Sequence, residues 1–431
     1  MSAPLAPETV AIADVAVVLL VALLVGRFTR RLHQPPVVAE ILTGILLGPS
    51  LLGLLPGHLP AHLFPDQSRS LLNGIAQVGL VVFMFLAGWE LDLRSLRGRG
   101  RWLGATAGLT MAVPFAVGAG AGALLVGGFG PKGVSHGDFV LYLATAFSIT
   151  AFPVLARVLR DNGLSRSRVG NLAMACAAVG DVLAWCLLVL VVALVSAKGQ
   201  SQFWTVLAET AGYGLVLVVV VRPLLSRLVD RAGARGGYGT LFTATAAGLM
   251  LSAYATGWIG IHTIFGAFAF GLVMPRRPAT ELHEQLGVPM ERLAALLLPV
   301  YFVVTGLSVD VSALGGRGLV ALLVVLAAAV SGKAVGAVVP VRLSGLGWRE
   351  SLAFGALMNT RGLTELVVLG IGRQLGLITG EMFTIMVLMA LLTTAMAGPL
   401  LRALRMVPAA VPGRAEAETV TDRQPRPAAV K

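Results

Sequence analysis

Residues 171–195, NLAMACAAVGDVLAWCLLVLVVALV, are almost entirely apolar and carry a single acidic residue, Asp181, near the middle. About 20 apolar residues, each rising about 1.5 Å, cross a hydrocarbon core of about 30 Å, so this run predicts a transmembrane helix. An unpaired carboxylate at that depth costs about 3 kcal/mol. We therefore expect Asp181 to bind or carry an ion. The alternative is a carboxylate that hydrogen-bonds to the backbone at a helix kink.

The rest of the chain has the composition of a membrane protein. Of its 431 residues, 56% are hydrophobic and 13% are charged, against about 25% charged residues in an average soluble protein. Apolar runs between residues 10 and 404 give about 13 candidate spans, which predicts an all-α polytopic transmembrane domain over residues 1–406. Residues 407–431 are rich in proline, alanine and charged residues, and we expect a disordered cytoplasmic tail there.

Basic residues alternate between the predicted loops. Arginines follow the odd-numbered spans, as at Arg27, Arg31, Arg227 and Arg402, whereas the even-numbered connections carry scattered single basic residues. The positive-inside rule then predicts an N-terminus outside and a cytoplasmic C-terminus, which requires an odd number of spans. The net charge of +12 is therefore explained by topology in the cell membrane rather than by nucleic-acid binding.

Sequence signals of enzymatic or catalytic-metal chemistry are missing. The six histidines do not cluster like metal ligands, and the sequence contains neither a GxxxxGK[ST] phosphate-binding loop nor a GxSxG nucleophile elbow. The cysteines, Cys176 and Cys186, lie in one span and are typical of apolar packing rather than of a disulfide. We expect no enzymatic activity and no cofactor.

A first helix interruption is expected in the fifth candidate span, which contains SITAFPVLARVL at residues 148–159. Pro153 removes a helical hydrogen bond there, and Ser148 and Thr150 offer hydroxyl groups at mid-membrane depth. The segment therefore predicts a broken helix with polar groups at the break.

A second interruption is expected in the twelfth candidate span, which contains MNTRGLTELVVL at residues 358–369. An inverted repeat relating spans one to six to spans eight to thirteen would pair it with the fifth span. Interrupted helices at matching positions of two inverted halves indicate an ion site in the middle of the membrane. We expect the two breaks to meet near Asp181.

Asp181 offers a hard anionic oxygen that suits Na⁺, K⁺ or a proton. One carboxylate can hold either the proton or the metal ion, so competition for it couples two opposed gradients. We assign Ser148 and Thr150 to the same predicted cation and proton site because their hydroxyls lie at comparable depth.

Further charged residues lie at membrane depth. Lys333, in the eleventh span, either pairs with Asp181 when no cation is bound or reaches an interface by snorkelling. Arg361 keeps its proton, and Glu365 lies four residues later on the same helix face. We interpret Arg361 and Glu365 as an ion pair that neutralises the crossing of the broken helices; the alternative is a direct role in ion traffic.

Glu40 lies near the predicted cytoplasmic side of the second span, within QPPVVAEILTG. It could line the entrance to the ion site. An interfacial carboxylate paired with Arg30 or Arg31 is an equal alternative.

A series of motifs carries a family resemblance. QPPVVAEILTGILLGPSLLG, FMFLAGWELDL, SITAFPVLARVL, AAVGDVLAW, GIHTIFGAFAFGLVMP, LLPVYFVVTGLSVDV and MNTRGLTELVVL occur in that order. Together they resemble the second branch of the monovalent cation:proton antiporter superfamily, which includes NapA-type sodium/proton antiporters, Kef-type potassium efflux systems and plant cation/H⁺ exchangers. The likeness covers about residues 10–405.

The resemblance implies a thirteen-span fold in which a six-helix core domain moves as an elevator past a dimerisation domain, usually within a homodimer. It places Asp181 at the family's ion-binding aspartate, and Thr150 in the first unwound crossover helix. Lys333 falls where many members carry a basic residue facing that aspartate, and Arg361 falls in the second crossover region.

One position departs from the family pattern. Many members carry Asp-Asp, Asn-Asp or Gln-Asp where this chain has Gly180 followed by Asp181. A single titrating carboxylate favours electroneutral exchange of one cation for one proton. A Lys333 that loses and regains its proton in each cycle would instead allow an electrogenic ratio.

The expected function is therefore secondary antiport of Na⁺ or K⁺ against H⁺ by alternating access, which would serve pH homeostasis. Two alternatives remain open at this point. One is a gated K⁺ efflux pathway, in which cation flux needs no proton movement. The other is a Na⁺-coupled symporter of an organic anion on a similar inverted-repeat scaffold. The sequence does not discriminate Na⁺ from K⁺, because that selectivity depends on cavity size and ligand number.

Overall fold

The computed structural model describes residues 6–31, 34–56, 60, 63–90, 101–164, 167–196 and 200–406. Within these ranges the regular structure is entirely helical, which confirms the predicted all-α class. The tail expected at residues 407–431 lies outside the described residues.

The helices are numbered along the chain. In the first half they are α1 (Pro7–Arg31), α2 (Pro36–Leu47), α3 (Asp66–Glu90), α4 (Arg101–Phe129), α5 (His136–Ser148), α6 (Phe152–Asp161), α7 (Arg168–Ser196), α8 (Gln200–Val216) and α9 (Arg222–Arg235). In the second half they are α10 (Tyr238–Ile259), α11 (Thr263–Val273), α12 (Ala279–Leu282), α13 (Val288–Leu307), α14 (Gly316–Lys333), α15 (Val339–Leu343), α16 (Trp348–Met358), α17 (Leu363–Gln374) and α18 (Gly380–Ala403). π-Helical turns join three pairs of these helices without a break, at Leu217–Val221, His283–Gly287 and Ala334–Val338.

Nine helical segments of the described chain are long and apolar enough to cross a membrane. The other predicted spans are those at residues 139–160, 239–257, 259–274 and 350–372. The first and last of these are each divided between two shorter helices. Helix α11 has only 11 residues, and α10 contains three glycines and four threonines. The total of about 13 spans therefore stays a prediction.

Both expected helix interruptions are present. Helix α5 ends at Ser148 and α6 begins at Phe152, with Pro153 in the first turn of α6, where a missing N–H removes no helical bond. Helix α16 ends at Met358 and α17 begins at Leu363. The chain between each pair is non-helical, so its backbone groups need partners from elsewhere.

The apolar side chains form two separate buried clusters. The larger one contains residues of α2, α3, α5 and each helix from α10 through α14. It also includes parts of α7, α17 and α18. The smaller one surrounds α6 and brings together residues such as Leu155, Val158, Ala173, Phe354 and Leu357, from α6, α7 and α16. Helix α7, which carries Asp181, therefore packs against α6 and α16, which are one half of each interrupted helix.

Helices α2 and α13 approach each other closely at Gly44 and Gly306. A Cβ atom on Gly44 would lie 2.2 Å from the carbonyl oxygen of Val303, and one on Gly306 would lie 2.4 Å from that of Ile41. Both neighbours are backbone atoms of another helix, so no side-chain rotation relieves the overlap. Close helix approach through small residues is the usual way in which transmembrane helices associate.

We expect Gly306→Ala to lower the free energy of unfolding by about 1–3 kcal/mol, because the added methyl group forces α2 and α13 apart. The matched control is Gly108→Ala in α4, where a Cβ would meet nothing within 4 Å and the change should stay within about 0.5 kcal/mol. Unfolding titrations in mixed detergent measure both. Equal stability of the two variants would contradict this packing.

Candidate functional site

The two interrupted helices contact each other at their breaks. The backbone N–H of Ala151 donates to the carbonyl oxygen of Thr360 at 3.2 Å, and the Thr150 hydroxyl donates to the carbonyl oxygen of Met358 at 3.0 Å. The non-helical backbone at membrane depth is thus buried within protein, as a bilayer requires. The predicted meeting of the two breaks is present in the structure.

Lys333 directs its ammonium group into this crossing. Its Nζ donates to the carbonyl oxygens of Ser148 at 2.8 Å and Thr110 at 3.2 Å, and to the Thr150 hydroxyl oxygen at 2.7 Å. The side chain is fully buried, so it does not snorkel to an interface. Since an ammonium group has three hydrogens, the contact with Asp181 considered from the sequence is not formed here.

Arg361 and Glu365 form an ion pair beside the crossing. Arg361 Nη1 lies 2.8 Å from Glu365 Oε1, and neither side chain is exposed. The guanidinium also donates to the carbonyl oxygens of Ala146 and Phe147, which lie in the last turn of α5. A cation at a helix C-terminus satisfies carbonyl groups that have no helical partner and interacts favourably with the helix dipole.

Asp181 lies on α7, next to the start of α6. Its Oδ1 atom is buried and has no hydrogen-bond partner, and the residue as a whole is half-buried. The backbone N–H of Phe152 interacts with the carboxylate, as does the charge of Lys333. The amino end of α6 therefore favours negative charge at this place.

Gly180, directly before this aspartate, leaves room for a larger residue. A Cβ atom there would meet nothing within 4 Å. Steric crowding of a Cβ atom therefore does not explain why this chain has glycine where many members of the family have Asp, Asn or Gln.

Ser148 takes part differently from the expectation. Its hydroxyl donates to the carbonyl oxygen of Thr145, and its own carbonyl oxygen accepts from Lys333. The hydroxyl is thus engaged within α5, because a serine at a helix end can bond back to the preceding turn.

The position of Glu40 at the entrance to the ion site stays a prediction. The part of α2 that reaches the second break is formed by Val38 and Ile41, which line a cavity of about 10 Å³ beside Arg361. Glu40 lies half-buried on the same helix and is not among the lining residues.

Some contacts at the crossing were not predicted from the sequence. Thr394 in α18 bonds to the backbone of Arg361, and Thr110 in α4 contributes a carbonyl oxygen to Lys333. The Asn359 side-chain oxygen is buried without a partner. Asn359 belongs to the polar run that marks the second break in the sequence, and a hydroxyl residue in an apolar span was the available signal for Thr394. A backbone carbonyl such as that of Thr110 gives no signal in the sequence.

The described part of the chain contains no group of three or more His, Cys, Asp or Glu side chains that could hold a metal ion. A bound monovalent cation would rely on Asp181 and on neutral oxygens. Hydroxyl, amide and carbonyl oxygens around one carboxylate are suited to Na⁺ and K⁺, which prefer hard oxygen ligands.

A wider cavity of about 580 Å³ lies between α3, α13 and α17. Its lining includes Gln77, Tyr301, Thr305 and Arg373, and it does not include Asp181. On α17 the lining begins at Val367 and continues to Gln374, so the cavity lies along the part of this half-helix that is remote from the break.

Comparisons with known proteins identify the family. The family model for "Sodium/hydrogen exchanger, transmembrane" matches residues 16–406. The Na(+)/H(+) antiporter NhaS4 of Synechocystis is 37% identical over 402 residues, which cover 92% of this chain and 98% of that protein. Cation/H(+) antiporter 20 of Arabidopsis thaliana is 40% identical over 415 residues, covering 91% and 48%. The K(+)/H(+) antiporter 1 of Saccharomyces cerevisiae is 32% identical over 407 residues, covering 91% and 46%.

The fold agrees with a solved structure of low sequence similarity. The sodium proton antiporter MjNhaP1 from Methanocaldococcus jannaschii superimposes with a TM-score of 0.70 at 15% identity, covering 94% of this chain and all of that one. The chain spans about half the length of the plant and yeast relatives and nearly the whole length of the cyanobacterial one. It belongs to the transmembrane sodium/hydrogen exchanger family, whose members are transporters rather than enzymes.

Proposed function

We propose that this chain exchanges a monovalent cation, Na⁺ or K⁺, for a proton across the membrane, with Asp181 as the shared binding group. The observation that carries the proposal is the buried, unpartnered Oδ1 of Asp181 beside the crossing of two interrupted helices. A carboxylate oxygen without a partner at this depth is costly unless it binds something. Relatives named as Na⁺/H⁺ and K⁺/H⁺ antiporters support the same activity.

Competition at one carboxylate explains the coupling. A proton and a monovalent cation both neutralise Asp181, and binding of either one removes the negative charge that attracts the other. The empty site keeps that charge in a poorly solvated place, which disfavours movement through the membrane. The loaded carboxylate is the form that crosses, so each ion travels only in exchange for the other.

The surrounding charges are the fixed part of the site. Lys333 and Arg361 are positive, and Glu365 and Asp181 are negative, so the set is neutral when all four are charged. Proton-loaded and cation-loaded Asp181 leave the same net charge in the moving unit. We therefore propose electroneutral exchange of one cation for one proton, with Lys333, Arg361 and Glu365 compensating charge and Thr150 holding the lysine beside the site.

We propose that access to the site alternates by an elevator movement. The smaller cluster ties α6, α7 and α16 to one another, and we propose that it belongs to the moving core domain, whereas α2, α3, α11 and α13 belong to the scaffold. Only 11% of the 18-residue apolar window within the span Trp204–Ala234 is buried, so this span is available to face lipid or a second copy in the proposed homodimer. Loop arginines support a cytoplasmic C-terminus and an external N-terminus.

Two other activities remain as competing outcomes. A gated K⁺ pathway predicts cation flux without obligatory proton movement. A Na⁺-coupled organic anion symporter predicts Na⁺ uptake only when its organic substrate is present. The carboxylate near a buried lysine favours proton exchange over both, because it offers one site that a proton and a cation can share.

In proteoliposomes with an imposed pH gradient, we expect addition of Na⁺ or K⁺ to dissipate the gradient with wild-type protein. Asp181→Asn should reduce the rate to that of protein-free liposomes, because an amide cannot exchange a proton for a cation. Asp138→Asn, at the start of α5, is the matched control and should keep the wild-type rate. Comparing Na⁺, K⁺ and Li⁺ identifies the transported ion.

The same liposomes test the stoichiometry. At matched ion gradients, a membrane potential imposed with a permeant anion should leave the rate and direction unchanged if one cation exchanges for one proton. Transport that follows the potential would contradict electroneutrality. Absence of proton movement with any cation between about pH 6 and pH 9 would contradict antiport itself and favour the channel or symporter.

Glu365→Gln should lower the free energy of unfolding by about 3 kcal/mol, because it leaves the buried Arg361 charge without its counter-charge. Glu350→Gln is the control: this residue lies in the exposed first turn of α16, where it accepts from the Gly347 N–H, and its loss should cost about 1 kcal/mol or less. Detergent unfolding titrations measure both. A Glu365 variant as stable as the control would refute the charge-compensating role.

A further inference from the structure

A threonine on the last described helix holds the backbone of the second break. Thr394 lies in the middle of α18, and its Oγ1 accepts from the Arg361 N–H at 2.8 Å. The same hydroxyl donates to the Arg361 carbonyl oxygen at 2.6 Å. One side chain therefore satisfies both backbone groups of a single residue.

This double contact replaces bonds that a continuous helix would supply. Arg361 lies between the end of α16 and the start of α17, so its N–H and C=O are outside the helical ladders. At membrane depth no water is at hand to satisfy them. Thr394 is itself buried, at 2% exposed, so its hydroxyl has no competing solvent.

The held peptide group connects to the first break on its other side. The Arg361 N–H belongs to the same planar peptide unit as the Thr360 carbonyl. That carbonyl accepts from the Ala151 N–H at 3.2 Å, directly after Thr150. Because the unit is planar, fixing its N–H toward Thr394 fixes its carbonyl toward Ala151.

From Ala151 the path reaches the ammonium group beside the ion site. Thr150 accepts from Lys333 Nζ at 2.7 Å and donates to the Met358 carbonyl oxygen at 3.0 Å. The Thr150 side chain is thus one of the three groups that hold the lysine, and its position follows that of the adjoining Ala151 peptide. Lys333 in turn acts on Asp181 through its charge.

We infer that Thr394 is a positioning residue for cation binding: it orients the Thr360–Arg361 peptide group, and through Ala151 and Thr150 it sets the position of Lys333 relative to Asp181. The inference rests on the proposed exchange at Asp181 and adds a residue on α18 that touches neither the ion nor the charged side chains. The Arg361 side chain is not part of this path, since Thr394 contacts only its backbone.

The adjacent threonine provides a matched control. Thr393 is equally buried, at 1% exposed, but its hydroxyl donates to the carbonyl oxygens of Met389 and Ala390 within α18. Replacement of either threonine by valine removes one hydroxyl at the same depth and keeps the side-chain shape. Only the change at Thr394 affects the crossing.

The test compares Thr394→Val, Thr394→Ser and Thr393→Val in proteoliposomes. Loss of two backbone hydrogen bonds predicts that Thr394→Val raises the half-saturating cation concentration about tenfold with a smaller effect on the maximal rate. Thr394→Ser keeps the hydroxyl and should stay within about twofold of wild type, as should Thr393→Val. Unchanged half-saturation in Thr394→Val, or an equal change in Thr393→Val, would overturn the inference.

A second measurement does not depend on transport. Hydrogen–deuterium exchange of the peptide that covers residues 358–366 should be faster in Thr394→Val than in Thr393→Val, because the Arg361 amide has lost its acceptor. Equal exchange in the two variants would also overturn the inference. If the wild-type protein moves no protons when a cation is added, the proposed function fails. The hydrogen–deuterium exchange of the two variants still decides whether Thr394 holds the backbone of Arg361.

Discussion

Non-helical backbone at the centre of a membrane is the constraint on which the rest of this structure depends. The breaks after Ser148 and after Met358 release N–H and C=O groups that a bilayer cannot hydrate. Some of these groups bond to each other across the two breaks, as the Ala151 N–H does to the Thr360 carbonyl oxygen. Others bond to polar side chains from other helices. Each of those side chains is thereby fixed in position, which makes the crossing a rigid base for an ion site.

The charges at the crossing follow from the same constraint. Lys333 and Arg361 both donate to carbonyl oxygens at the end of α5, so two cations complete one helix terminus. Glu365 balances the arginine at contact distance, whereas the hydrogen bonds of Lys333 go to two carbonyl oxygens and a hydroxyl oxygen rather than to an acidic side chain. A proton and a monovalent cation add the same single charge at Asp181, so the two loaded forms of the site carry equal net charge, and this equality is the basis of the proposed one-for-one exchange.

The sequence predicts much of this arrangement, for identifiable reasons. Asp181, Lys333, Arg361 and Glu365 are conspicuous because charged residues are costly in apolar spans, and the breaks are marked by Pro153 and by the polar run that begins at Asn359. The pairing of Arg361 with Glu365 is expected from their four-residue spacing on one helix, and it forms although Arg361 lies just before the start of α17. The partners of Lys333 could not be predicted, because two of them are backbone carbonyls and the third is reached across a helix break. The engagement of the Ser148 hydroxyl within α5, and the contact of Thr394 with another segment's backbone, likewise depend on tertiary positions that no local pattern encodes.

The central claim is that one carboxylate binds either a proton or a cation. The most direct measurement is proton release from purified protein in weakly buffered detergent solution, followed with a pH indicator as Na⁺ or K⁺ is added. The account predicts release approaching about one proton per chain at a pH where Asp181 is protonated, with none from Asp181→Asn, because a cation that takes the carboxylate must displace its proton. Saturable cation binding without proton release from the wild-type protein would contradict it.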